Sequence, residues 1–338
     1  MKRNLLFLVI LFFLSAKVSG QTISVKHAKR DTGYIKDYYR NRLIIRAFES
    51  TKFNNFKYSD HKSELLFKPN KHNNFGLGFT YKFISLNLGF YIPNLGRSID
   101  VYGKTRQVDL QTHFCVRNIL VDFYGQSYRG YYLANTDAVV SNHNDEILNR
   151  PDIRTNNISL VCQYLFNGKH FSYNAVFLQN ELQKKSAGSF LVGGGIYHTS
   201  LSADSSVIPA NVSYTNFFND YQFKNSKNTS IGVNGGYAYT FVIKKHFFIT
   251  GYLSGGGGIN YAKLADDHDT RDRVGLLLSH TERLAAGYNS DKYFAGAIYI
   301  RQFTKTNATL PGCWEDVNSG NFRIVVAKRL RMKRELLQ

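Results

Sequence analysis

The segments His198-Thr199-Ser200 and Ser279-His280-Thr281-Glu282 bring hydroxyls and imidazoles close together in sequence. That pairing suggests acyl transfer, in which a histidine takes the proton of a serine nucleophile. In an extended chain successive side chains alternate faces, so His280 shares a face with Glu282 while Ser279 lies on the other, and this segment supplies no Ser–His pair by itself. His198 and Ser200 do share a face, but residues two apart on a strand are about 6 to 7 Å apart, beyond hydrogen-bond reach unless both lean together. Glycine runs at Gly193–Gly195, Gly235-Gly236 and Gly255–Gly258 could cradle a phosphate. No Lys-Ser or Lys-Thr follows them and no helix is expected next, so they read as stripes that let strands bend. The clusters Asp266-Asp267-His268-Asp269 and Asn142-His143-Asn144-Asp145-Glu146 lack the loop spacing, glycine and distant glutamate of a calcium site, and read as solvated loops. The sequence therefore assigns no catalytic, cofactor-binding or metal residue, and implies no cofactor.

A second set of charges, Lys82, Asp109, Asp122, Arg283, Arg301 and Arg323, sits on faces otherwise made of small and polar residues. What those faces are follows from the segments that carry them. From Phe75 the odd positions read Phe75, Leu77, Phe79, Tyr81 and Phe83 while the even ones read Gly76, Gly78, Thr80 and Lys82. After a reversal near Phe83 the pattern resumes with Ile84, Leu86, Leu88, Phe90 and Ile92 on one face, against Ser85, Asn87 and Gly89. The same design recurs where Ile231, Val233, Tyr237, Tyr239 and Phe241 alternate with Gly232, Asn234, Gly236, Ala238 and Thr240. Period-two alternation is the signature of strands with one apolar face. A soluble sandwich alternates too, but its outer face is usually charged; small uncharged residues opposite an aromatic face fit a membrane barrel better.

Fourteen segments carry this pattern: 43–50, 62–68, 75–83, 84–92, 105–116, 118–130, 155–166, 169–182, 188–200, 229–243, 245–263, 272–288, 292–304 and 319–330. Most reach the roughly 9 to 11 residues that a tilted bilayer-crossing strand needs. The two before Pro69 are short enough to lie outside the membrane. Links are short near 83–84, 116–118, 167–168, 244–245 and 289–291, and long at 93–104, 131–154, 264–271 and 305–318, the asymmetry of outer-membrane barrels. It fails between 183 and 228, where either 188–200 is not a full strand or 201–228 hides another. The expected fold is all-β, an antiparallel up-and-down transmembrane β-barrel of about 12 strands, within about 10 to 14. In such a barrel the second set of charges points into the lumen, where ion pairs plug the pore or line a polar path, and plugging is the expectation. With 23 tyrosines and 26 phenylalanines against one tryptophan, aromatics suffice for two interfacial girdles, as at Tyr91, Tyr131, Tyr132, Tyr164 and Phe166.

The first residues explain how such a chain would reach a membrane. Lys2 and Arg3, an apolar run from Leu5 to Leu14 and small residues up to Gly20 form a secretory signal, with cleavage expected between Gly20 and Gln21. The run is too short for a spanning helix, which needs about 20 residues. The expected organisation is a signal peptide at 1–20, a periplasmic N-terminal segment at 21–42, the barrel at 43–330 and a basic tail at 331–338. Cys115, Cys162 and Cys313 form no CxxC pair and read as free thiols. A formal charge of +19, scattered among strands, points for an exported chain to outer-membrane lipids and lipopolysaccharide as partners, not nucleic acid. The barrel assembly machinery is the other expected partner; oligomeric state is not legible.

The stretch LLFKPNKHNNFGLGFTYKFISLNLGF, then GKTRQVDLQTHF and DFYGQSYRGYY, and the segment KHFSYNAVFLQNELQKKSAGSFLVGG resemble an uncharacterised family of exported bacterial proteins, the domain of unknown function numbered 4421. The resemblance covers much of 64–195 and implies an outer-membrane β-barrel of Gram-negative, Bacteroidota-like bacteria, with no established activity and no site residues to carry over. One departure is the C-terminus, which ends in Gln338 instead of the aromatic residue common on last strands. The functional expectation is a cell-envelope barrel, structural or a narrow, largely plugged transporter. Its alternatives are a lipid-modifying hydrolase, for which one Ser or His would be indispensable, and a soluble secreted β-sandwich that binds a ligand.

Overall fold

The alternation at 75–92 forms a hairpin in which β4 (His72–Tyr81) pairs with β5 (Ile84–Gly96), setting Leu77 opposite Leu88 and Phe79 opposite Leu86. Leu77, Leu86, Leu88 and Phe90 are each more than half exposed, so the apolar face looks outward. The computed structural model describes residues 30–38, 42–70, 72–81, 84–96, 98–116, 118–140, 147–210 and 217–332. The expected signal peptide, its cleavage point, residues 21–29 and 39–41 of the N-terminal segment, Lys82, the Asn142–Glu146 cluster and residues 333–338 of the tail lie outside them.

All long strands are antiparallel to their neighbours. After β1 (Ile35–Asp37) come β2 (Arg42–Ser59), β3 (Glu64–Lys68), the β4–β5 hairpin, β6 (Arg106–Val116), β7 (Ile119–Leu133), β8 (Asn149–Leu165) and the short β9 (Glu181–Gln183). Then follow β10 (Ala187–Ser202), β11 (Asn225–Ile243), β12 (Phe247–Ala265), β13 (Thr270–Asn289), β14 (Tyr293–Asn307) and β15 (Trp314–Arg331). β15 pairs with β2 from Trp314↔Ser59 to Arg331↔Arg42, which closes the sheet into a barrel. At the end that carries the long connections the ring has ten strands, because β3 pairs with β2 on one side and with β7 on the other. At the opposite end β3 is replaced by β4, β5 and β6, so that twelve strands line the wall there without a β5–β6 ladder, and the closed ten-strand ring lies within the expected range of 10 to 14.

The change from ten to twelve strands has a local cause. Pro69 and Asn70 break the chain between β3 and β4. The Asn70 amide donates to Thr105 Oγ1 at 2.8 Å, its side chain donates to the Gly103 carbonyl at 2.8 Å, and Thr105 Oγ1 donates to the Gly130 carbonyl at 2.7 Å. Gly130 sits at φ +89°, and a Cβ there would meet the Lys104 carbonyl at 2.2 Å. It marks a bulge between Arg129 and Tyr131 in β7, where β6 hands the edge of β7 over to β3.

Two departures from the sequence reading concern what fills the barrel. Residues 169–182 are not a spanning strand: they hold a turn, one helical turn at Asn174–Phe177 and the start of β9. Phe171, Tyr173, Val176 and Phe177 are buried there against Ile44, Leu120, Phe294, Ile298 and Val325 of the wall. The segment is therefore apolar because it packs inside the barrel at the short-turn end, and β9 pairs with β1 there. The ambiguity between 183 and 228 resolves in favour of a full strand at 187–202, followed by a folded-back cap. Val207, Ile208, Phe217, Phe218, Tyr221 and Phe223 of that cap are buried with Phe56, Tyr58, Phe67, Tyr128 and Tyr131. Likewise 43–50 is part of an 18-residue strand and not a separate short one.

Strands of 15 to 20 residues outrun the roughly 9 to 11 that cross a bilayer. The excess lies beyond an exterior apolar belt that includes Ile158, Val192, Ile231, Val233, Leu253, Ile259, Leu284 and Ile324. On β2, β14 and β15 the outer face turns polar above it, where Lys57 and Lys305 flank Asp316 at 3.3 and 3.9 Å.

Candidate functional site: the filled lumen

Inward-facing positions of six strands converge on Arg283 of β13, which is fully buried. One guanidinium nitrogen donates to Asp122 Oδ2 on β7 and another to the Tyr173 hydroxyl of the plug segment. The cation also lies over the Tyr252 ring, 4.7 Å from its centroid. His113 Nδ1 of β6 is 2.7 Å from the other Asp122 oxygen. Tyr252 donates to Gln163 at 2.5 Å, and Gln163 donates to Asn234 at 2.6 Å, which extends the network through β12, β8 and β11. A buried charge is tolerated only when paired and hydrogen-bonded, and Arg283 and Asp122 are both.

A second group lies nearer the long-loop end, where Asp109 of β6 accepts from Lys52 at 3.2 Å, Gln126 at 2.9 Å and Tyr128 at 2.5 Å. At the short-turn end Arg329 of β15 donates to the carbonyl of Gln179 and to Asn289 Oδ1, both at 2.8 Å, and so ties the plug to the wall. Outside the wall there, Asp291 in the β13–β14 turn accepts from Lys36 at 2.6 Å and Tyr38 at 2.5 Å. These two bonds hold its carboxyl below the usual carboxylate range, the Lys36 contact most of all.

Asp109, Asp122, Arg283 and Arg323 thus take the inward positions expected of them, and Arg301 does not. It lies outside, 3.6 Å from Glu282 and donating at 2.9 Å to Asn318. The inner face of β14 is the apolar one, since Phe294, Ile298 and Ile300 pack on the plug, so hydrophobicity alone misreads its orientation. Arg46, His113, Tyr173 and Arg329 were not singled out in the sequence. Arg46 sits in phase with the inward Ile44 and Phe48, a signal obscured because both neighbours are apolar.

The Ser–His neighbourhoods stay apart. His198 faces outward and bonds Thr229 at 2.9 Å. His280 lies 3.2 Å from Glu282 on the outer face, while Ser279 alternates to the inner one. Asp266 folds its carboxylate back onto the amides of His268 and Asp269, which lower its pKa. Among the described residues no three His, Cys, Asp or Glu side chains are placed to hold a metal ion. Cys115 faces inward, Cys162 is exposed on the outside and Cys313 is buried beneath the cap, and no two of the three are joined to each other.

The barrel is similar in fold to the outer-membrane protease OmpT of Escherichia coli, at 8% identity with a TM-score of 0.39, covering 87% of this chain and 98% of that one. It is also similar to OprG of Pseudomonas aeruginosa, at 12% identity and 0.23, covering 88% and 99%. A third is the attachment invasion locus protein Ail of Yersinia pestis, at 11% and 0.21, covering 84% and 98%. No curated protein matches the sequence. A family model described as Domain of unknown function (DUF4421) matches residues 29–311, and the chain belongs to that family.

Proposed function

We propose that the protein is an integral outer-membrane β-barrel of a Gram-negative cell envelope whose lumen is occluded in its resting form. In this reading it serves as a structural element or a narrow, gated transport barrel and not as an open diffusion pore. The observation that carries this is the Asp122–Arg283–Tyr173 contact, which spans the lumen and is shut in by apolar packing at both ends. The exterior belt supports the membrane setting, because exposed apolar surface on this scale is stable only against lipid or a partner. Residues 1–20 would direct export and be removed, 21–42 would lie in the periplasm with the short turns, and the barrel assembly machinery would insert 43–330, leaving the basic tail behind. Lys227 and Lys263 face each other across β11 and β12 beyond the belt, both exposed, where anionic lipopolysaccharide headgroups would offset their repulsion.

Membrane fractionation with a planar-bilayer recording tests the reading. The mature protein should sediment with outer membranes, show heat-modifiable mobility on a detergent gel and be nearly silent under voltage. Recovery in the soluble periplasm would end the membrane part, and steady ohmic conductance would end the occlusion.

A further inference from the structure

Among the described residues β5 pairs with β4 alone and β6 with β7 alone, so no backbone ladder joins β5 to β6. Two cavities lie along this seam, of about 660 and 130 Å³. Both are lined by Asn87, Leu110, Gln111 and Arg323. Along a paired ladder the pleat sends alternate side chains to opposite sides and the hydrogen bonds close the space between them. Here Leu88 and Leu110, on the lipid-facing side and more than half exposed, line the same space as Lys52 and Arg323 from the lumen. The seam therefore passes through the wall.

Its inner end is cationic. Arg46, 2% exposed, and Arg323 both line the smaller cavity, which has no acidic residue on its walls. Neither arginine has a carboxylate at ion-pairing distance among the described residues, and the Nε of each lacks a hydrogen-bond partner. Arg46 is steadied by Thr80 Oγ1 and the Leu178 carbonyl, and Arg323 by the face of the Phe48 ring at 4.7 Å. Asp109, the one carboxylate lining the larger cavity, is already engaged by Lys52, Gln126 and Tyr128. A buried guanidinium without a carboxylate beside it, as at Arg46, is costly, and an anion supplied by a ligand to it and to the half-buried Arg323 would remove that cost.

We infer that the β5–β6 seam is a lateral binding site for an amphipathic anion from the membrane. Its acyl chain lies between Leu88 and Leu110 at the lipid face, and its phosphate or carboxylate head reaches inward to Arg46 and Arg323. The assignment rests on the outer-membrane reading above. It gives the occluded lumen a route of access that avoids both blocked ends.

The test uses the mature full-length barrel in phosphatidylcholine nanodiscs doped with dioleoyl phosphatidic acid, with lipid retention read by native mass spectrometry. Arg46→Gln combined with Arg323→Gln removes the cationic end. Gly89→Trp fills the passage instead: a Cβ at Gly89 meets nothing nearer than 3.8 Å, so the position accepts a side chain, and its nearest neighbours are Asn74 and Phe48, with both arginines left in the sequence. The native protein should retain phosphatidic acid over phosphatidylcholine. The arginine variant should weaken this by about tenfold, the worth of a charge-assisted hydrogen bond, and Gly89→Trp should weaken it with both arginines intact. Equal retention of the two lipids by the native protein would overturn the inference, as would retention unchanged by Gly89→Trp. Displacement by inorganic phosphate alone would also overturn it, because the site would then take a soluble anion. Heat-modifiable mobility, measured on every variant, reports separately on the barrel.

Discussion

Every residue of β11 from Asn225 to Ile243 has a ladder partner on β12, whereas none of the described residues of β5 has one on β6. Both walls are written in the same alternating pattern, with apolar residues out and small ones in. They differ in how closely the backbones approach. In the sealed wall a Cβ at Gly258 would lie 2.0 Å from the Ile231 carbonyl, so glycine there is a condition of contact. Beside the seam a Cβ at Gly89 would make only ordinary contacts, at 3.8 Å from Asn74 and 3.9 Å from Phe48. Of these two glycines, Gly258 lets strands close up, and Gly89 leaves room for a side chain.

Arg283 braces the two walls, since it sits on β13 and its counter-ion on β7, and its loss is where the comparison is most exposed. Asp122→Asn should destabilise the barrel by about 3 to 5 kcal/mol, because it leaves a buried cation uncompensated, and should add transient conductance to a quiet protein. Urea unfolding in lipid would check the first and single-channel recording the second. An unchanged midpoint would mean that the walls stand without a brace.

Facing can be tested next. Leu253→Arg, on the outer side of the sealed wall, should cost about 2 to 4 kcal/mol if near the bilayer midplane. Asn87→Arg, which enters the seam cavity, should cost less; the reverse order would show that the faces of the two walls are misassigned. Close approach comes third: Gly258→Val should cost about 1 to 3 kcal/mol through overpacking, and Gly89→Val should stay within about 0.5 kcal/mol. Equal effects would erase the distinction between the two glycines.

The smallest effect concerns Asp291. Its folded-state pKa is depressed, so the contacts with Lys36 and Tyr38 contribute fully above the ordinary carboxylate range and are lost as pH falls through the lower, folded value. Acidification to that range should speed hydrogen exchange at Ile35–Asp37 while both walls stay protected. Uniform exchange across β1 and the walls would contradict a local latch.

The faces of β4, β5, β6 and β11 were legible from residues such as Phe75, Leu77, Val108 and Val233, because lipid and lumen impose opposite demands on alternate positions. Where the lumen is itself apolar that contrast vanishes. Ile298 and Ile300 hide the outward Arg301, Ile44 and Phe48 hide Arg46, and the buried Phe171–Phe177 stretch imitates a strand while serving as a plug. The seam was not legible at all, since it depends on pairing lost between two strands whose individual patterns are regular.

Barrel closure also fixes the order in which the protein can come into being. The ladder that seals it runs along all 18 residues of β15 and engages β2, near the opposite end of the chain. Bringing such distant segments together costs about 5 kcal/mol of chain entropy before any contact offsets it. Nothing repays that until the last strand is available, so early intermediates must carry two unsatisfied sheet edges. The finished ring gains its persistence from the same source: to open it, a long ladder must be released at once, and the slow step of birth becomes the slow step of decay.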